Sequence, residues 1–230
     1  MKKTNKTVII TGTSRGIGFE LAQLFANNNF NVLALSRNTT TLEAVNHPNI
    51  KTFGVDLSKE NEIDTVVDYL TKNNIKLTAL IHNAGKLVNK PFTEISQQDF
   101  QKVYQVNVFS VALLTQKTIP FLQENSHVVT ISSMGGIQGS LKFPGLAAYS
   151  SSKGAVITLS ELLAEEYKEQ KIAFNVLALG AVQTEMLQEA FPGYQAPITP
   201  NEMANYIFDF TNTGHKFYNG KVLEVSCTTP

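Results

Sequence analysis

The sequence has little sulfur and no surplus of charge. Its only cysteine is Cys227, so no disulfide can form within the chain. The 19 basic and 19 acidic residues balance, whereas a nucleic-acid surface normally needs a basic excess. No apolar run approaches the roughly 20 residues of a membrane helix, and Val8–Ile10 is too short for a signal peptide. We therefore expect a cytoplasmic protein that binds neither nucleic acid nor membrane, and we predict no metal site.

The length and composition favour one folded unit. The chain has 230 residues, of which 43% are hydrophobic and 17% charged, as in ordinary globular proteins. No linker rich in proline, glycine or serine divides it, and no repeat of fixed period is present. We predict a single domain over residues 1–230.

Short apolar runs typical of strands alternate with longer helical stretches. The predicted strands are Thr7–Thr11, Asn31–Ser36, Lys51–Val55, Leu77–His82, Val128–Ser132, Ala173–Leu179 and Lys221–Val225. The predicted helices are Ile17–Asn27, one beginning at Ser58, Phe100–Leu122 and Ala147–Tyr167. This alternation predicts an α/β, Rossmann-type, doubly wound parallel sheet of about seven strands, with helices on both faces. Gln188–Thr199 is predicted to be a loop or short lid, so that residues 187–199 would cover a substrate.

The first predicted strand leads directly into a glycine-rich turn, and a helix follows. The turn reads Thr11-Gly12-Thr13-Ser14-Arg15-Gly16-Ile17-Gly18. Gly12 would permit the sharp turn, Gly16 would let phosphates approach, and Gly18 would let helix and strand pack closely. The helix N-terminus adds partial positive charge. In this context the turn predicts a dinucleotide site, with a purely structural turn as the alternative.

The spacing G-x-x-x-G-x-G resembles the short-chain dehydrogenase/reductase family, and the resemblance extends over nearly the whole chain. It implies that Ser14, Arg15 and Ile17 also belong to the cofactor site. A later Tyr149-Ser150-Ser151-Ser152-Lys153 is similar to the family's Tyr-x-x-x-Lys motif. The resemblance implies a nicotinamide-dependent enzyme that forms a homodimer or homotetramer.

The end of the second strand favours NADP(H) over NAD(H). An acidic residue there would accept hydrogen bonds from the ribose 2′-hydroxyl of NAD, but this chain has Ser36 and Arg37. A guanidinium can bind the 2′-phosphate of NADP through paired hydrogen bonds, and Arg15 would approach it from the other side. The open alternative is that both arginines are solvated surface residues.

Two further strand ends resemble cofactor-binding positions of the family. Asp56-Leu57 follows the third strand and would lie beside the adenine, although Asp56 also suits a helix cap. Asn83-Ala84-Gly85 ends the fourth strand and would approach the cofactor through its backbone. His82 replaces an asparagine of the family signature, and we predict for it a structural hydrogen bond.

Tyr149 and Lys153 are four residues apart on a predicted helix and therefore share one face. A phenol has an ordinary pKa of about 10, which a nearby ammonium lowers by favouring the phenolate. Carbonyl reduction needs a group that gives a proton to the oxygen while hydride reaches the carbon. We predict Tyr149 as this acid (and as the base in oxidation), while Lys153 tunes it and, by resemblance, holds the nicotinamide ribose.

The resemblance implies two more catalytic residues and two more cofactor contacts. Ser133, rather than Ser132, would polarise the substrate carbonyl. Asn107 would bend the long helix and support a water link to Lys153. Val182 and Thr184 would contact the nicotinamide amide, although Leu179 replaces a usual proline, and extra residues at 140–143 lengthen the Ser133–Tyr149 loop.

The predicted function is an NADP(H)-dependent oxidoreductase acting on a small carbonyl or alcohol substrate. Phe191 and Tyr194 would line an apolar pocket together with Leu141, Phe143 and Leu146, unless they merely cover the core. The alternative is a non-catalytic NADP(H)-binding sensor, which would need the glycine turn and Arg37 but not Ser133, Tyr149 and Lys153. An isomerase or dehydratase with the same Tyr/Lys pair is a third possibility, although such relatives are typically longer.

Overall fold

The computed structural model describes residues 6–227, and its seven strands form one sheet in which every strand pair is parallel. The strands are β1 Thr7–Thr11, β2 Asn31–Ser36, β3 Ile50–Gly54, β4 Leu77–His82, β5 Leu122–Ser133, β6 Ala173–Leu179 and β7 Val222–Val225. Their order across the sheet is β3-β2-β1-β4-β5-β6-β7. The strand order reverses between β1 and β4, which is where open α/β sheets bind ligands. The predicted Rossmann-type fold is confirmed.

Helices cover both faces of the sheet. They are α1 Gly16–Asn27, the short α2 Thr40–Glu43, α3 Glu60–Lys72, α4 Gln97–Tyr104, α5 Ser110–Thr118, α6 Ala147–Glu166, α7 Glu185–Ala190 and α8 Pro200–Thr213. Side chains alternate between faces along a strand, so Val8 and Ile10 pack into a core with α1 and α8. Ile9 points to the opposite core, formed with α3, α5 and α6. Both cores are closed to water, as a parallel sheet requires.

The predicted single helix Phe100–Leu122 is wrong in two respects. Residues Gln105–Phe109 form a π-helical turn between α4 and α5, and the helical part ends with a 3-10 turn at Ile119–Phe121. Strand β5 then begins at Leu122, six residues before the predicted start. The exposed polar residues after Leu122 concealed this part of the strand, because the sequence there has no apolar run.

Several other predicted boundaries shift. Strand β3 is Ile50–Gly54 rather than Lys51–Val55, and β7 begins at Val222 rather than at Lys221. Helix α4 begins at Gln97 rather than at Phe100, and α6 ends at Glu166 rather than at Tyr167.

Helix α3 begins at Glu60 rather than at Ser58, whose backbone N–H instead bonds to the Asp56 side chain. The predicted loop Gln188–Thr199 is helical in its first three residues, because α7 extends to Ala190. Thr199 caps α8 reciprocally with Glu202, which explains why the irregular segment ends there.

Between residues 6 and 227, no helix combines the length and the apolar character needed to cross a bilayer. In the same part of the chain, no group of three or more His, Cys, Asp or Glu side chains is placed to hold a metal ion.

Candidate active site

A cleft of about 520 Å³ lies at the carboxyl edge of the sheet, and it is lined by residues at or directly after the ends of six strands, β1 to β6. Its lining includes these predicted site residues: Gly12, Ser14, Arg15, Gly16, Ile17, Ser36, Arg37, Asp56, Leu57, Asn83, Ala84, Gly85, Ser133, Tyr149, Lys153, Val182 and Thr184. Gly18 and Asn107 do not line the cleft. The edge of a parallel sheet thus brings together residues that are up to 172 positions apart in the sequence.

The glycine turn has the geometry of an anion site. Gly12 has a φ of +74°, and a Cβ on Gly18 would lie 2.2 Å from the carbonyl oxygen of Gly12, so larger residues are excluded at both positions. No side chain caps the start of α1, whose first N–H groups are therefore left for a ligand or water. The Thr13 hydroxyl is buried without a hydrogen-bond partner. These groups fit the diphosphate of a dinucleotide.

Asn83 holds the two central strands together beside this turn. Its side-chain nitrogen donates to the carbonyl oxygens of Thr11 at 3.0 Å and Gly12 at 3.2 Å. The backbone N–H groups of Asn83 and Ala84 both donate to the Thr11 hydroxyl at 3.0 Å. The side chain of Asn83 therefore fixes the floor of the cleft, and its backbone is the part near the space for a ligand.

Arg37 and Asp56 line the part of the cleft that follows β2 and β3. The Ser36 hydroxyl donates to the carbonyl oxygen of Asn38 at 2.7 Å, so it is already engaged within its own turn. One carboxylate oxygen of Asp56 accepts from the backbone and hydroxyl of Ser58 at 3.0 and 2.7 Å. Burial raises the pKa of Asp56, but these hydrogen bonds and nearby cations, Arg37 among them, outweigh burial and lower it. Asp56 thus makes the local contact before α3 that its alternative role near a helix start predicted. Its second carboxylate oxygen makes no hydrogen bond within residues 6–227.

Arg15 forms an ion pair with a residue of the protein itself. Its two terminal nitrogens bind the two carboxylate oxygens of Glu189 at 2.5 and 3.0 Å. Glu189 lies on α7, in the part of this helix that was predicted to belong to the loop Gln188–Thr199. No local pattern marks this ion pair, because its members are 174 residues apart.

Tyr149, Lys153 and Ser133 meet inside the cleft. The Lys153 ammonium donates to the Ile131 carbonyl oxygen at 2.7 Å and lies 5.8 Å from the centroid of the Tyr149 ring. The Ser133 side chain is hydrogen-bonded to the Tyr149 phenol. The Ser132 hydroxyl instead donates to the carbonyl oxygen of Lys153 at 2.8 Å. Of the two adjacent serines, Ser133 is therefore the one that faces the phenol.

The expectation that Lys153 lowers the pKa of Tyr149 is wrong for this structure. Burial raises the pKa of Tyr149 to about 12, and the hydrogen bond from Ser133 offsets only part of that increase. Burial also lowers the pKa of Lys153 to about 8. Removal from water thus sets the direction of the pKa shift of both groups, because the Lys153 ammonium is bonded to a backbone carbonyl rather than to the Tyr149 phenol.

Asn107 lies in the π-helical turn and is almost fully buried. Its side chain accepts from the backbone N–H of Lys86 at 2.7 Å and donates to the carbonyl oxygen of Lys86 at 2.9 Å. It also donates to the Ser152 hydroxyl at 2.9 Å. The amide thus links the loop after β4 to α6, next to Lys153, and a wider helical turn at Asn107 makes these contacts possible.

His82 has the environment of a structural residue. Its Nε2 lies 2.7 Å from the Thr115 hydroxyl, and the residue is 3% exposed. Burial, together with repulsion from Lys153, lowers the pKa of His82 to about 3. The imidazole is therefore neutral at physiological pH and acts as a hydrogen-bonding core residue.

The turn after β6 forms without the proline that the resemblance leads one to expect. The Gly180 N–H donates to the Val225 carbonyl oxygen at 2.9 Å, which anchors the turn to β7. Val182 makes an isolated bridge to Ile198, and the Thr184 hydroxyl accepts from the Leu187 N–H at 3.2 Å as the N-cap of α7. Both residues line the cleft, but Thr184 also fixes the start of the lid helix.

Several large apolar side chains also line the cleft. Phe143, Leu146, Phe191 and Tyr194 line it as predicted, but Leu141 does not and is 53% exposed. Sequence reasoning also missed the apolar residues Leu87, Met134, Met186 and Leu187, which line the same space. Met134 directly follows the end of β5, so its position at a strand end was the signal that could have identified it.

Fold and cleft together define a Rossmann-type α/β protein in which a glycine-rich turn and a Tyr/Ser/Lys cluster share one cavity. The family model for short chain dehydrogenases matches residues 6–195. The chain therefore belongs to the short-chain dehydrogenase family, whose members are NAD(P)-dependent oxidoreductases.

Named relatives agree with this assignment. The chain is 31% identical over 184 residues to a 3-amino-tetrahydro-pyrrolizinone reductase of Xenorhabdus hominickii, a match that covers 79% of this chain and 63% of that protein. It is similar to the 3-ketoacyl-(acyl-carrier-protein) reductase of Brucella melitensis in complex with NADH, at a TM-score of 0.84, 26% identity and 96% coverage of each chain. It is also similar to ElxO with NADP bound, at a TM-score of 0.84, 27% identity and coverage of 96% and 97%. These relatives support a nicotinamide cofactor and differ in which one they hold.

Proposed function

We propose that this protein is an NADP(H)-dependent oxidoreductase that transfers hydride between the nicotinamide ring and a carbonyl or secondary alcohol carbon. The observation that carries the proposal is the meeting of Tyr149, Ser133 and Lys153 in the cleft that also contains the glycine turn. A sensor without turnover would not need these three side chains together, so the non-catalytic alternative is not favoured.

The residues have separate tasks in this proposal. The cofactor, when bound, supplies the hydride, and the protein supplies orientation and the proton. Tyr149 is the proton donor in reduction, and its raised pKa keeps the phenol protonated at neutral pH. Ser133 donates to the substrate oxygen and stabilises the negative charge that develops there. Lys153 adds positive charge beside the phenol and contacts the nicotinamide ribose, while Asn107 positions α6.

NADP(H) is the proposed cofactor because cations surround the place for a 2′-phosphate. Arg37 lines the cleft after β2, Arg15 lines it in the glycine turn, and neither Ser36 nor Arg37 provides a carboxylate to bind a ribose diol. Gly12, Ser14, Gly16 and Ile17 would contact the diphosphate.

Other parts of the cleft complete the proposed cofactor site. Asp56 and Leu57 would lie beside the adenine, while the backbone of residues 83–85 would lie along the cofactor. Val182 and Thr184 would lie near the nicotinamide amide.

The substrate is proposed to be an apolar carbonyl compound. The cleft that contains Tyr149 is also lined by aromatic, leucine and methionine side chains, which favour burial of apolar groups. Methionine and the short lid also allow adjustment to substrates of different shape.

The remaining proposals concern assembly and location. Phe109, in the π-helical turn, is 54% exposed, and Leu162, on α6, is 63% exposed. The family resemblance implies that these long helical segments pair between subunits, so we propose a homodimer or homotetramer. Analytical ultracentrifugation of the purified chain tests this, and a monomer at micromolar concentration would contradict it. The single exposed Cys227 is compatible with a reducing compartment, and we propose the cytoplasm.

The proposed reaction is tested by Tyr149→Phe, which removes the hydroxyl and keeps the ring. We expect kcat for reduction of an apolar ketone to fall about 100-fold to 10,000-fold, the usual contribution of general acid catalysis. The dissociation constant for NADPH, measured by fluorescence titration, should change little. Tyr69→Phe, on α3, is the matched control and should retain full activity. Activity of Tyr149→Phe close to that of the wild type would refute the assignment.

A further inference from the structure

The ion pair between Arg15 and Glu189 connects the phosphate-binding turn to the lid helix α7. It is bidentate, with nitrogen–oxygen distances of 2.5 and 3.0 Å, and the two side chains are 47% and 63% exposed. The hydrogen bond to Arg15 lowers the pKa of Glu189, which is therefore fully ionised at neutral pH. Arg15 is thus occupied by an anionic group of the protein itself.

Helix α7 has further contacts at both ends. A Cβ on Gly16 would lie 3.4 Å from the Glu185 carboxylate and 3.4 Å from the Thr184 methyl group, so the start of α7 lies against the glycine turn. At its other end, the Asn89 side chain donates to the Ala190 carbonyl oxygen at 2.8 Å. The helix therefore lies across the mouth of the cleft, attached to the turn on one side and to the loop after β4 on the other.

We infer that Glu189 determines cofactor specificity, because its carboxylate competes with the 2′-phosphate of NADP(H) for Arg15. The inference rests on the proposed function, in which Arg15 is one of the two phosphate-binding arginines. Both terminal nitrogens of Arg15 are engaged by Glu189, and a phosphate bound to the same guanidinium would have an ionised carboxylate as its neighbour. Like charges at such a separation repel, so the two contacts to Arg15 oppose each other.

This competition affects only a cofactor that carries the 2′-phosphate. A ribose with a free 2′-hydroxyl makes no demand on Arg15, so the ion pair persists and α7 stays attached to the glycine turn. Coupling between two sites is reciprocal, so the factor by which Glu189 weakens phosphate binding is also the factor by which the phosphate weakens the attachment of α7. The choice of cofactor thereby sets the freedom of the substrate lid.

The test uses ligands without a nicotinamide, so no turnover is involved. Adenosine 2′,5′-bisphosphate carries the 2′-phosphate and adenosine 5′-monophosphate lacks it, and binding of both to the full chain is measured by calorimetry. Partly exposed ion pairs are worth about 0.2–1 kcal/mol, so Glu189→Gln should tighten the bisphosphate about 1.4-fold to 5-fold. Binding of the monophosphate should stay unchanged. Glu185→Gln, on the same helix, removes a charge that acts on Arg15 without a hydrogen bond to it, so it should tighten the bisphosphate less than Glu189→Gln does.

Arg15→Ala separates the inference from the function on which it rests. If this variant binds both ligands as the wild type does, Arg15 is not a phosphate ligand, and that part of the proposed function fails. If Arg15→Ala weakens only the bisphosphate but Glu189→Gln does not strengthen it, the competition is refuted while the phosphate role stands. Weaker bisphosphate binding in Glu189→Gln would also refute it, because Glu189 would then orient Arg15. In the double variant the gain from Glu189→Gln should disappear, and a gain that persists would overturn the inference.

Hydrogen exchange gives a second readout. With saturating NADPH, amides of residues 187–191 should exchange faster than with saturating NADH, because α7 has lost its contact to Arg15. In Glu189→Gln the two cofactors should give the same exchange. Equal exchange with both cofactors in the wild type would contradict the proposed release of α7.

Discussion

The Lys153 ammonium donates a 2.7 Å hydrogen bond to the Ile131 carbonyl oxygen, on the neighbouring strand end, rather than to the Tyr149 phenol. Burial therefore controls the pKa of both groups: it lowers that of Lys153 to about 8 and raises that of Tyr149 to about 12. Lysine thus changes its charge within the range of an ordinary assay, whereas the tyrosine stays protonated throughout it.

The rate of reduction should therefore fall as the pH rises through about 8. Above that pH Lys153 loses its proton, and with it a positive charge in the cleft where negative charge develops on the substrate oxygen during reduction. A guanidinium stays charged over this range, so Lys153→Arg should be slower but should lack the descending limb. The measurement is kcat against pH at saturating NADPH. A descending limb that persists unchanged in Lys153→Arg would show that another group titrates.

Ser133→Ala should lower kcat strongly and stability only slightly, since its hydroxyl also accepts a 3.3 Å hydrogen bond from the Gly135 N–H. Loss of one preorganised donor to a developing oxyanion typically reduces kcat about 100-fold to 1,000-fold. The neighbouring Ser132→Ala is the control, because its hydroxyl bonds to the backbone of Lys153. That variant should lose about 1 kcal/mol of unfolding free energy and much less activity. Steady-state kinetics and urea titrations distinguish the two, and equal kinetic losses would argue against a special role for Ser133.

Arg37→Asp should reverse the cofactor preference. Hydrogen bonds to charged groups contribute about 1.5–3 kcal/mol, so the dissociation constant for NADPH should rise roughly 10-fold to 150-fold. NADH should bind better, since the new carboxylate can accept hydrogen bonds from the ribose 2′-hydroxyl. Arg37→Gln is the matched control and should weaken NADPH without strengthening NADH. Unchanged NADPH binding in both variants would place the 2′-phosphate elsewhere.

Acid should destabilise the fold through its buried histidines. His82 has a pKa of about 3 and His127 of about 4, both lowered mainly by burial from an ordinary value of 6.5. Below pH 6.5 the unfolded chain binds protons that the folded chain does not, so stability is lost as the pH falls. Each histidine contributes a slope of about 1.4 kcal/mol per pH unit between roughly pH 6 and its folded-state pKa.

His82→Asn isolates the contribution of one histidine. Its unfolding free energy, from urea titrations at several pH values, should decline less steeply below pH 6 than that of the wild type, by up to about 1.4 kcal/mol per pH unit. The variant should also be less stable at neutral pH, because the hydrogen bond to Thr115 changes. If the two slopes are the same, His82 takes up its proton while the chain is folded, contrary to its environment.

Much of the architecture was predictable because its signals are local. Strands β1, β2, β4 and β6 have the predicted bounds, since each is a compact apolar run with polar or glycine residues at its ends. The start of strand β5 was not predictable, because the residues that follow Leu122 are polar and the pairing of β5 with β4 has a register shift near Leu77. The π-helical turn was also not predictable in form, although Asn107 marked its place.

The amino-acid sequence by itself determined the parallel α/β fold and the glycine turn, because residue type and short-range spacing carry both signals. Together with the family resemblance, it also pointed to Tyr149, Lys153 and Ser133 as the proposed catalytic groups. Only the tertiary structure decided what those groups contact. It placed Lys153 on the Ile131 carbonyl, paired Arg15 with Glu189, and buried Tyr149 so that its pKa rises rather than falls. Solvation and long-range pairing set these properties, and both depend on which distant segments the fold brings together.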